Sequence, residues 1–443
     1  MSHPRSLLFK IITRSLFVGG LGLGIVLIPN LSIFDEKLLP EINELLKTPV
    51  NPDIEGNANY HFYGLASASE KDAYIVGKAV LHTLQSKHAK GESATLTEQE
   101  RAELLGSTGD LDSEWPEIYP AAKCSPREST VCLEKLIEQI KDKPLSNERL
   151  LAQLKRYNTI IQQPHMIEDT RLLDYTSPLP AFGPVLYLNR LNQALAYQES
   201  GLEGLISRSE MDMRFWRMAL VESQTLIGRM ITINALRGDL LSLSFAINKL
   251  PSLTPAHEKR LRDLLKPLSP HEKNIEVALT SELRLSVNNR EFYSENVPEG
   301  VSLPLRFLIQ QTASVNLYYK ETIKTGFAFG KMSPSEFYER AQVPVKSMPF
   351  SRFNPYNLGG KIAQSQNWQV SPYIGRAHDL AGLYSLVTLQ LELKTNPPQD
   401  VAAAIKSSPY KNPYTEKPFD YDPATKALSF QCFEVKDVCK ITL

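Results

Sequence analysis

The sequence has no excess of either charge. Its 49 lysines and arginines balance its 49 aspartates and glutamates. Domains that bind nucleic acid usually have a basic surface, because contacts to phosphate supply much of their affinity. The neutral composition gives no indication of such a surface, so we expect no nucleic acid among the partners of this protein.

Familiar catalytic and metal-binding motifs are missing as well. There is no GxSxG nucleophile turn, no Walker-type phosphate loop, and no HExxH spacing among the eight histidines. The glycines between Gly20 and Gly24 lie in an apolar run, without the strand and acidic partner of a dinucleotide site. We therefore predict no cofactor and no metal. Carboxylate pairs depend on distances in space, so the sequence leaves open whether the chain is an enzyme.

Cysteine is scarce, with four residues in two local pairs. The even number and the short spacing predict two disulfides, Cys124–Cys132 and Cys432–Cys439, as in an exported protein. Zinc binding by these four residues is the alternative. Neither pair has the CxxC spacing or a nearby histidine that is typical of zinc sites.

Charge is absent from one long stretch, Ser15 to Phe34. An apolar segment of about 20 residues is long enough to cross a hydrocarbon core of about 30 Å. Basic residues precede it within 1–14, and acidic residues follow it, which favours a cytoplasmic N-terminus and an exported body. We predict an uncleaved single-pass anchor in a bacterial inner membrane, followed by a periplasmic body.

Two alternatives concern this anchor. Pro29 and Asn30 interrupt the apolar run, so a cleavable signal peptide is the competing interpretation. Gly20 and Gly24 have the small-xxx-small spacing that lets two membrane helices approach closely. The anchor would then also support self-association.

The stretch from Val185 to Leu250 contains no proline, and its apolar residues recur at helical spacing. Gly201 and Gly204 interrupt this pattern, so we expect a turn there and a second helix lying back on the first. Elsewhere, N-cap spacing begins further helices at Thr97, Thr254, Ser269 and Ser333, and Ser146 is predicted to cap another.

These patterns predict a mainly α fold, an irregular helical-hairpin bundle or solenoid-like array. A transmembrane helix would precede it, and a small β-hairpin would end it, because residues 428–430 and 433–435 alternate like strands. The predicted parts are a basic tail (1–14), the anchor (15–34), a juxtamembrane linker (35–56), the helical body (57–400) and a disulfide-locked hairpin (401–443).

Polar residues among the apolar positions of the long helices are the candidate site. They are Asp212, Arg214, Arg229, Asn234, Arg237 and Asp239. One interpretation is a structural network that fixes helix register; the other is a concave binding groove whose arginines meet carboxylate or phosphate groups. Arg376, His378 and Asp379 form a second, weaker candidate, interpreted as an ion pair beside a core histidine or as a catalytic dyad.

Several short segments carry a family resemblance. They are Asn59-Tyr60 with Gly64-Leu65, the segment from Arg214 to Met230, the turn Phe353-Asn354-Pro355, and the tail from Asn412 to Phe419. Together they resemble a set of uncharacterised, membrane-anchored, exported proteins of proteobacteria over nearly the whole exported part. Glu416 stands where such tails more often have glycine. The resemblance implies no activity.

The sequence therefore favours a periplasmic helical scaffold that binds another cell-envelope protein. An envelope hydrolase that uses carboxylates or His378, and a helical module that binds a small ligand or peptide, are the alternatives.

Overall fold

The computed structural model describes residues 24–47, 52–93, 95–106, 119–123, 132–169, 179–289, 308–342, 355–365, 369–433 and 438–443. These residues fall into two compact units. The smaller unit draws on residues up to 49, from 282 to 325 and from 344 to 370. The larger unit draws on residues 50–281, 326–343 and 371–443.

The described part is mainly helical, as predicted. In chain order the α-helices are α1 (Pro40–Leu46), α2 (Ala58–Gly64), α3 (Ala73–Ala89), α4 (Glu98–Leu105), α5 (Cys132–Asp142), α6 (Glu148–Ile160), α7 (Phe182–Glu222), α8 (Leu226–Lys249), α9 (Pro255–Leu264), α10 (Pro270–Lys273), α11 (Glu276–Asn288), α12 (Gln311–Tyr318), α13 (Lys324–Gly330), α14 (Pro334–Ala341), α15 (Leu358–Ser365), α16 (Ser371–Thr395) and α17 (Val401–Ser407).

The predicted helical hairpin lies at the centre of the larger unit. α7 reverses direction at Ser200 and Gly201, where Gly201 has φ 62° and ψ −144°, a conformation that suits glycine. The hydroxyl of Tyr157 is 3.0 Å from Asn189 Nδ2 and 2.9 Å from Asp212 Oδ1. In a straight helix residues 189 and 212 would be about 35 Å apart. The two arms of α7 therefore lie side by side, and the predicted reversal is confirmed.

α8 packs against this hairpin as a core helix. Thr225 caps its first turn by accepting a hydrogen bond from the backbone N–H of Gly228 at 2.9 Å. Among the described helices, only α8 is long and apolar enough to cross a membrane, but 67% of its most apolar window is buried inside the protein. That burial is typical of the central helix of a core.

Most of the N-caps predicted from the sequence are confirmed. Thr97, Ser269 and Ser333 each form a capping box with the glutamate three residues later, and Thr254 caps α9. Ser146 was the wrong residue for α6. The side chain of Asn147 accepts the hydrogen bond from Leu150 N instead, at 3.0 Å, because an amide oxygen caps as well as a hydroxyl.

The C-terminal part is larger than the predicted hairpin. β1 (Asp420–Asp422), β2 (Ala427–Gln431) and β3 (Val438–Thr442) form an antiparallel sheet in the order β1-β2-β3. The strand expected at 433–435 is wrong at Phe433, which lies in a bend, and residues 434–437 are outside the described part. The helix α17 occupies the start of the predicted 401–443 hairpin.

The disulfide Cys432–Cys439 is confirmed. Its two Cα atoms are 5.6 Å apart, within the usual range, and both residues are fully buried. Cys132 is also disulfide-bonded. Its predicted partner, Cys124, lies outside the described residues.

The end of the predicted anchor is not continuous helix. Residues 24–27 are helical, but 3-10 turns follow at Ile28–Asn30 and Ser32–Phe34. Pro29 has no N–H to donate, and the Asn30 side chain donates to Val26 O at 2.7 Å, which competes with helix propagation. The prediction of a helix through Phe34 is therefore wrong at its end. Residues 15–23, with Gly20, lie outside the described part.

Candidate functional site

Two aspartates are fully buried in the larger unit, Asp212 on α7 and Asp239 on α8. Arg208, one helical turn before Asp212, binds both of its oxygens, with Nε to Oδ2 and Nη2 to Oδ1 each at 3.0 Å. Tyr157 of α6 donates its hydroxyl proton to the same carboxylate at 2.9 Å. Asp212 is thus held by a bidentate, charge-assisted pair, the strongest kind of side-chain hydrogen bonding.

Asp239 has neutral neighbours instead. Asn189 donates to its Oδ1 at 3.1 Å, and Gln193 donates to the same oxygen. Its Oδ2 is buried without a hydrogen-bond partner among the described residues. Ser242 donates to Gln193 Oε1 at 2.5 Å, which orients the amide toward the carboxylate. These contacts tie the first arm of α7 to α8.

The ionisation of this cluster follows from burial. Burial raises the pKa of Asp239 well above its ordinary value, and the neighbouring charge of Asp212 raises it further. Burial also raises the pKa of Asp212, against the effect of Arg208. Burial alone would lower the pKa of Arg208, but Asp212 and Tyr157 raise it on balance. One cation faces two carboxyls, so Asp239, which lacks the arginine, is the group that holds a proton.

The cluster therefore acts as an internal connection between helices. Asp212, Asp239 and Gln193 are all 0% exposed, so a substrate does not reach them without opening the bundle. The two aspartates were predicted as site residues, but their partners Tyr157, Asn189, Gln193 and Arg208 were not. Only Arg208 carried a sequence signal, its i, i+4 spacing to Asp212.

The predicted arginines do not converge on one groove. Arg214 is exposed on the surface of α7. Arg229 is buried, and it donates to two backbone carbonyls, Leu220 O at 2.7 Å and Glu272 O at 2.5 Å. Burial lowers its pKa to about 10. The guanidinium of Arg229 thus joins the end of α7 to α10 instead of facing a ligand.

The remaining candidates meet in a narrow cleft. Asn234 and Arg237 of α8 line it together with Arg376 and Asp379 of α16, so members of both predicted clusters come together. The space between them is about 10 Å³, which is room for about one water molecule. The carboxylate of Asp379 accepts hydrogen bonds from the Tyr414 hydroxyl at 2.6 Å and from Phe433 N at 2.9 Å.

His378 has the environment of a core histidine. Its ring centre lies 5.1 Å from that of Phe337, and its Nε2 is buried without a hydrogen-bond partner in the described part. Burial, with a smaller effect of Lys273, lowers its pKa to about 4, so the imidazole is neutral near pH 7. A general base needs a position next to a reacting group, which this packing does not provide.

Asp379 also lies beside the C-terminal disulfide. Its carboxylate and the sulfurs of Cys432 and Cys439 are within 4.8 Å of one another, the described group closest to a metal site. Zinc binds thiolates, and these two sulfurs are joined to each other. The disulfide therefore rules out the zinc alternative for this pair in its oxidised form.

Comparison with known proteins finds no match. No protein-family model, no curated protein and no solved structure is similar to this chain at a significant level. The resemblance to membrane-anchored proteins of proteobacteria stays a prediction.

Proposed function

We propose that this chain is a single-pass inner-membrane protein whose periplasmic helical body is a scaffold that binds another envelope protein. The observation that carries the proposal is an exposed apolar face on the second arm of α7. It consists of the exposed residues Met211, Arg214 and Val221 and the half-buried Met218, spaced three or four residues apart on one side of the helix. We refer to it as the Met211–Val221 face.

This face exposes two apolar side chains directly beside buried core residues. Met211 and Val221 are each 44% exposed, whereas their neighbours Phe215 and Trp216 are buried. Exposed apolar groups at helical spacing are typical of surfaces that receive a partner helix or loop. Arg214 lies between them, and it would pair with an acidic group on the partner.

The buried polar clusters support a scaffold over the alternatives. A hydrolase needs a carboxyl group that substrate reaches, and Asp212 and Asp239 are inaccessible. A ligand-binding module needs a pocket of several hundred Å³, and the cleft beside Arg237 has room for one water molecule. The polar residues of the described core contribute instead to a rigid helical body.

The membrane assignment is supported by the end of the uncharged run. Ile25, Leu27 and Ile28 are exposed, although each is large and apolar. Lipid is the environment in which such side chains are stable when no protein covers them. Extraction of bacterial membranes with alkaline carbonate tests this part, because an integral protein stays in the pellet and a peripheral one is released.

The partner is tested by photo-crosslinking in cells that produce the full chain. A benzophenone amino acid in place of Met211 should give a discrete adduct with another envelope protein, and Val221→Glu should abolish it. The matched control places the same group at Glu199, an exposed position on the first arm of α7. Equal adducts at both positions, or none at Met211, would contradict the proposed surface.

A further inference from the structure

We propose that the segment Asn30–Lys37 is a rigid joint that seats the smaller unit directly on the lipid surface, with Leu31, Ile33 and Phe34 in the interfacial layer of the bilayer. This inference rests on the proposed membrane anchor, and it assigns the position along the chain at which the folded body begins. A flexible tether between the anchor and the body is the arrangement it excludes.

The first part of the joint is a set of hydrogen bonds from distant parts of the smaller unit. Asn30 donates to Pro355 O at 2.6 Å, and Gln310 Nε2 donates to Leu31 O at 2.9 Å. The side chain of Asn30 is buried. The chain is therefore fixed to the smaller unit immediately after Pro29, before the uncharged run ends at Phe34.

The second part is an N-terminal cap supplied from outside the helix. The carboxylate of Asp35 accepts hydrogen bonds from Thr312 N at 2.9 Å and Ala313 N at 3.0 Å, at the start of α12. These N–H groups have no partner within their own helix, and the helix dipole favours a negative charge there. Gln310, the N-cap residue of α12, makes no side-chain cap, so Asp35 takes that role.

The third part holds the following residues against the same helix. Asn316 of α12 donates to Glu36 Oε2 at 2.9 Å and to Lys37 O at 3.0 Å, and its own Oδ1 accepts from Leu39 N at 3.1 Å. Asn316 is buried, so its side chain is shielded from water, although Glu36 and Lys37 are exposed. Both ends of the segment are thereby attached to one rigid element.

The apolar side chains of the joint face away from the protein. Ile33 is 79% exposed, and Leu31 and Phe34 are each 50% exposed. They complete the uncharged run that starts at Ser15, and the first charges, Asp35 and Glu36, follow at once. This continuity with the anchor identifies lipid as the occupant of the face.

The backbone places these residues at the interface instead of the hydrocarbon core. Leu31 is extended, with φ −67° and ψ 138°, and 3-10 turns lie on either side of it. Irregular backbone within hydrocarbon is tolerated only where protein satisfies its polar groups. Here Gln310 satisfies Leu31 O, which requires the smaller unit to lie beside the segment at that depth.

The test uses the full chain in vesicles of phosphatidylethanolamine and phosphatidylglycerol. Ile33→Cys carries an environment-sensitive fluorophore, and nitroxide lipids labelled at the headgroup or deep in the acyl chain act as quenchers. Ile75→Cys is the matched control, because Ile75 is also an isoleucine and is 67% exposed, in the larger unit. We expect several-fold stronger quenching at position 33 than at 75, and stronger quenching by the headgroup label than by the deep label.

The outcomes separate the joint from the anchor. If the chain stays in the vesicles but position 33 is not quenched, the joint is wrong and the anchor stands. Stronger quenching by the deep label would also overturn the joint, because the segment would then lie in the hydrocarbon core. If alkaline carbonate releases the chain, the anchor itself fails.

A second measurement tests the rigid attachment. A nitroxide label at Ser32 should be immobile, and it should become several-fold more mobile in Asn316→Ala. Unchanged mobility would contradict the rigid attachment.

Discussion

The larger and smaller units use buried polar groups in different ways. In the larger unit, Arg208 and Asp212 place an ion pair inside the bundle, and Asn189 on the other arm of α7 donates to Asp239, which holds a proton. In the smaller unit, Asp35 and Asn316 join segments that are 277 to 280 positions apart. The buried ion pair makes the larger unit sensitive to the loss of one partner, whereas each of the partly exposed hydrogen bonds of the smaller unit should cost less to lose.

Removal of Arg208 should have the largest effect. Arg208→Met leaves the Asp212 carboxylate buried without its cation, which should lower the free energy of unfolding by about 3–5 kcal/mol at pH 7. Denaturant unfolding followed by tryptophan fluorescence measures the loss. Arg260→Met is the control, because Arg260 is partly exposed in its pairs with Glu203 and Glu210 and should cost about 1 kcal/mol or less. Equal losses would show that burial of the charge does not matter.

The second test compares the pH dependence of stability at Asp239 with that at an exposed aspartate. The pKa of Asp239 is raised in the folded state, so its contribution to stability is complete below about pH 4 and is lost as pH rises through the folded pKa. Asparagine does not titrate. Asp239→Asn should therefore be more stable than the native chain at pH 7, by about 1.4 kcal/mol for each unit by which the pKa is raised. The advantage should vanish near pH 4.

Asp263 provides the opposite sign as a control. Lys266 lowers the pKa of this exposed carboxyl, so Asp263→Asn should be slightly less stable than the native chain at pH 7. Unfolding curves at several pH values distinguish the two. If Asp239→Asn is less stable at pH 7, then Asp239 is ionised in the folded protein and the assignment of the proton is wrong.

What the sequence predicts depends on the distance between partners. The hairpin at Gly201 and the caps at Thr97 and Ser269 involve neighbours along the chain, so spacing was enough to find them. The partners of Asp239 lie on another helix, and their amide side chains have no periodic signal. Asp35 as the cap of α12 was beyond sequence reasoning, because nothing local connects residue 35 with residue 312.

The cap of α12 gives the third prediction. Asp35→Ala removes two hydrogen bonds at the helix N-terminus and should cost about 1 kcal/mol in the smaller unit. Hydrogen exchange of the Thr312 and Ala313 amides should accelerate by about fivefold. Asp400→Ala removes a local cap, at Ala403 N in the larger unit, with a similar cost but no effect at residue 312. Unchanged exchange in Asp35→Ala would contradict the distant cap.

The smallest expected effect compares two left-handed residues. Glu416 in the larger unit has φ 57°, which costs a side chain with a Cβ roughly 1–2 kcal/mol, and this explains why glycine suits the position. Glu416→Gly relieves this strain. The relief exceeds two costs, which are the loss of an exposed hydrogen bond from Ser335 and the larger entropy of the unfolded chain. The free energy of unfolding should therefore rise by about 0.5 kcal/mol.

Asn357 in the smaller unit has φ 50°, but its Oδ1 accepts from Gln310 N and Ser314 Oγ, each at 3.0 Å. Asn357→Gly should therefore destabilise where Glu416→Gly stabilises, because the same strain is offset by buried hydrogen bonds at only one of the two sites. Thermal unfolding of both variants measures the signs, and a gain in both would mean that backbone strain outweighs those bonds.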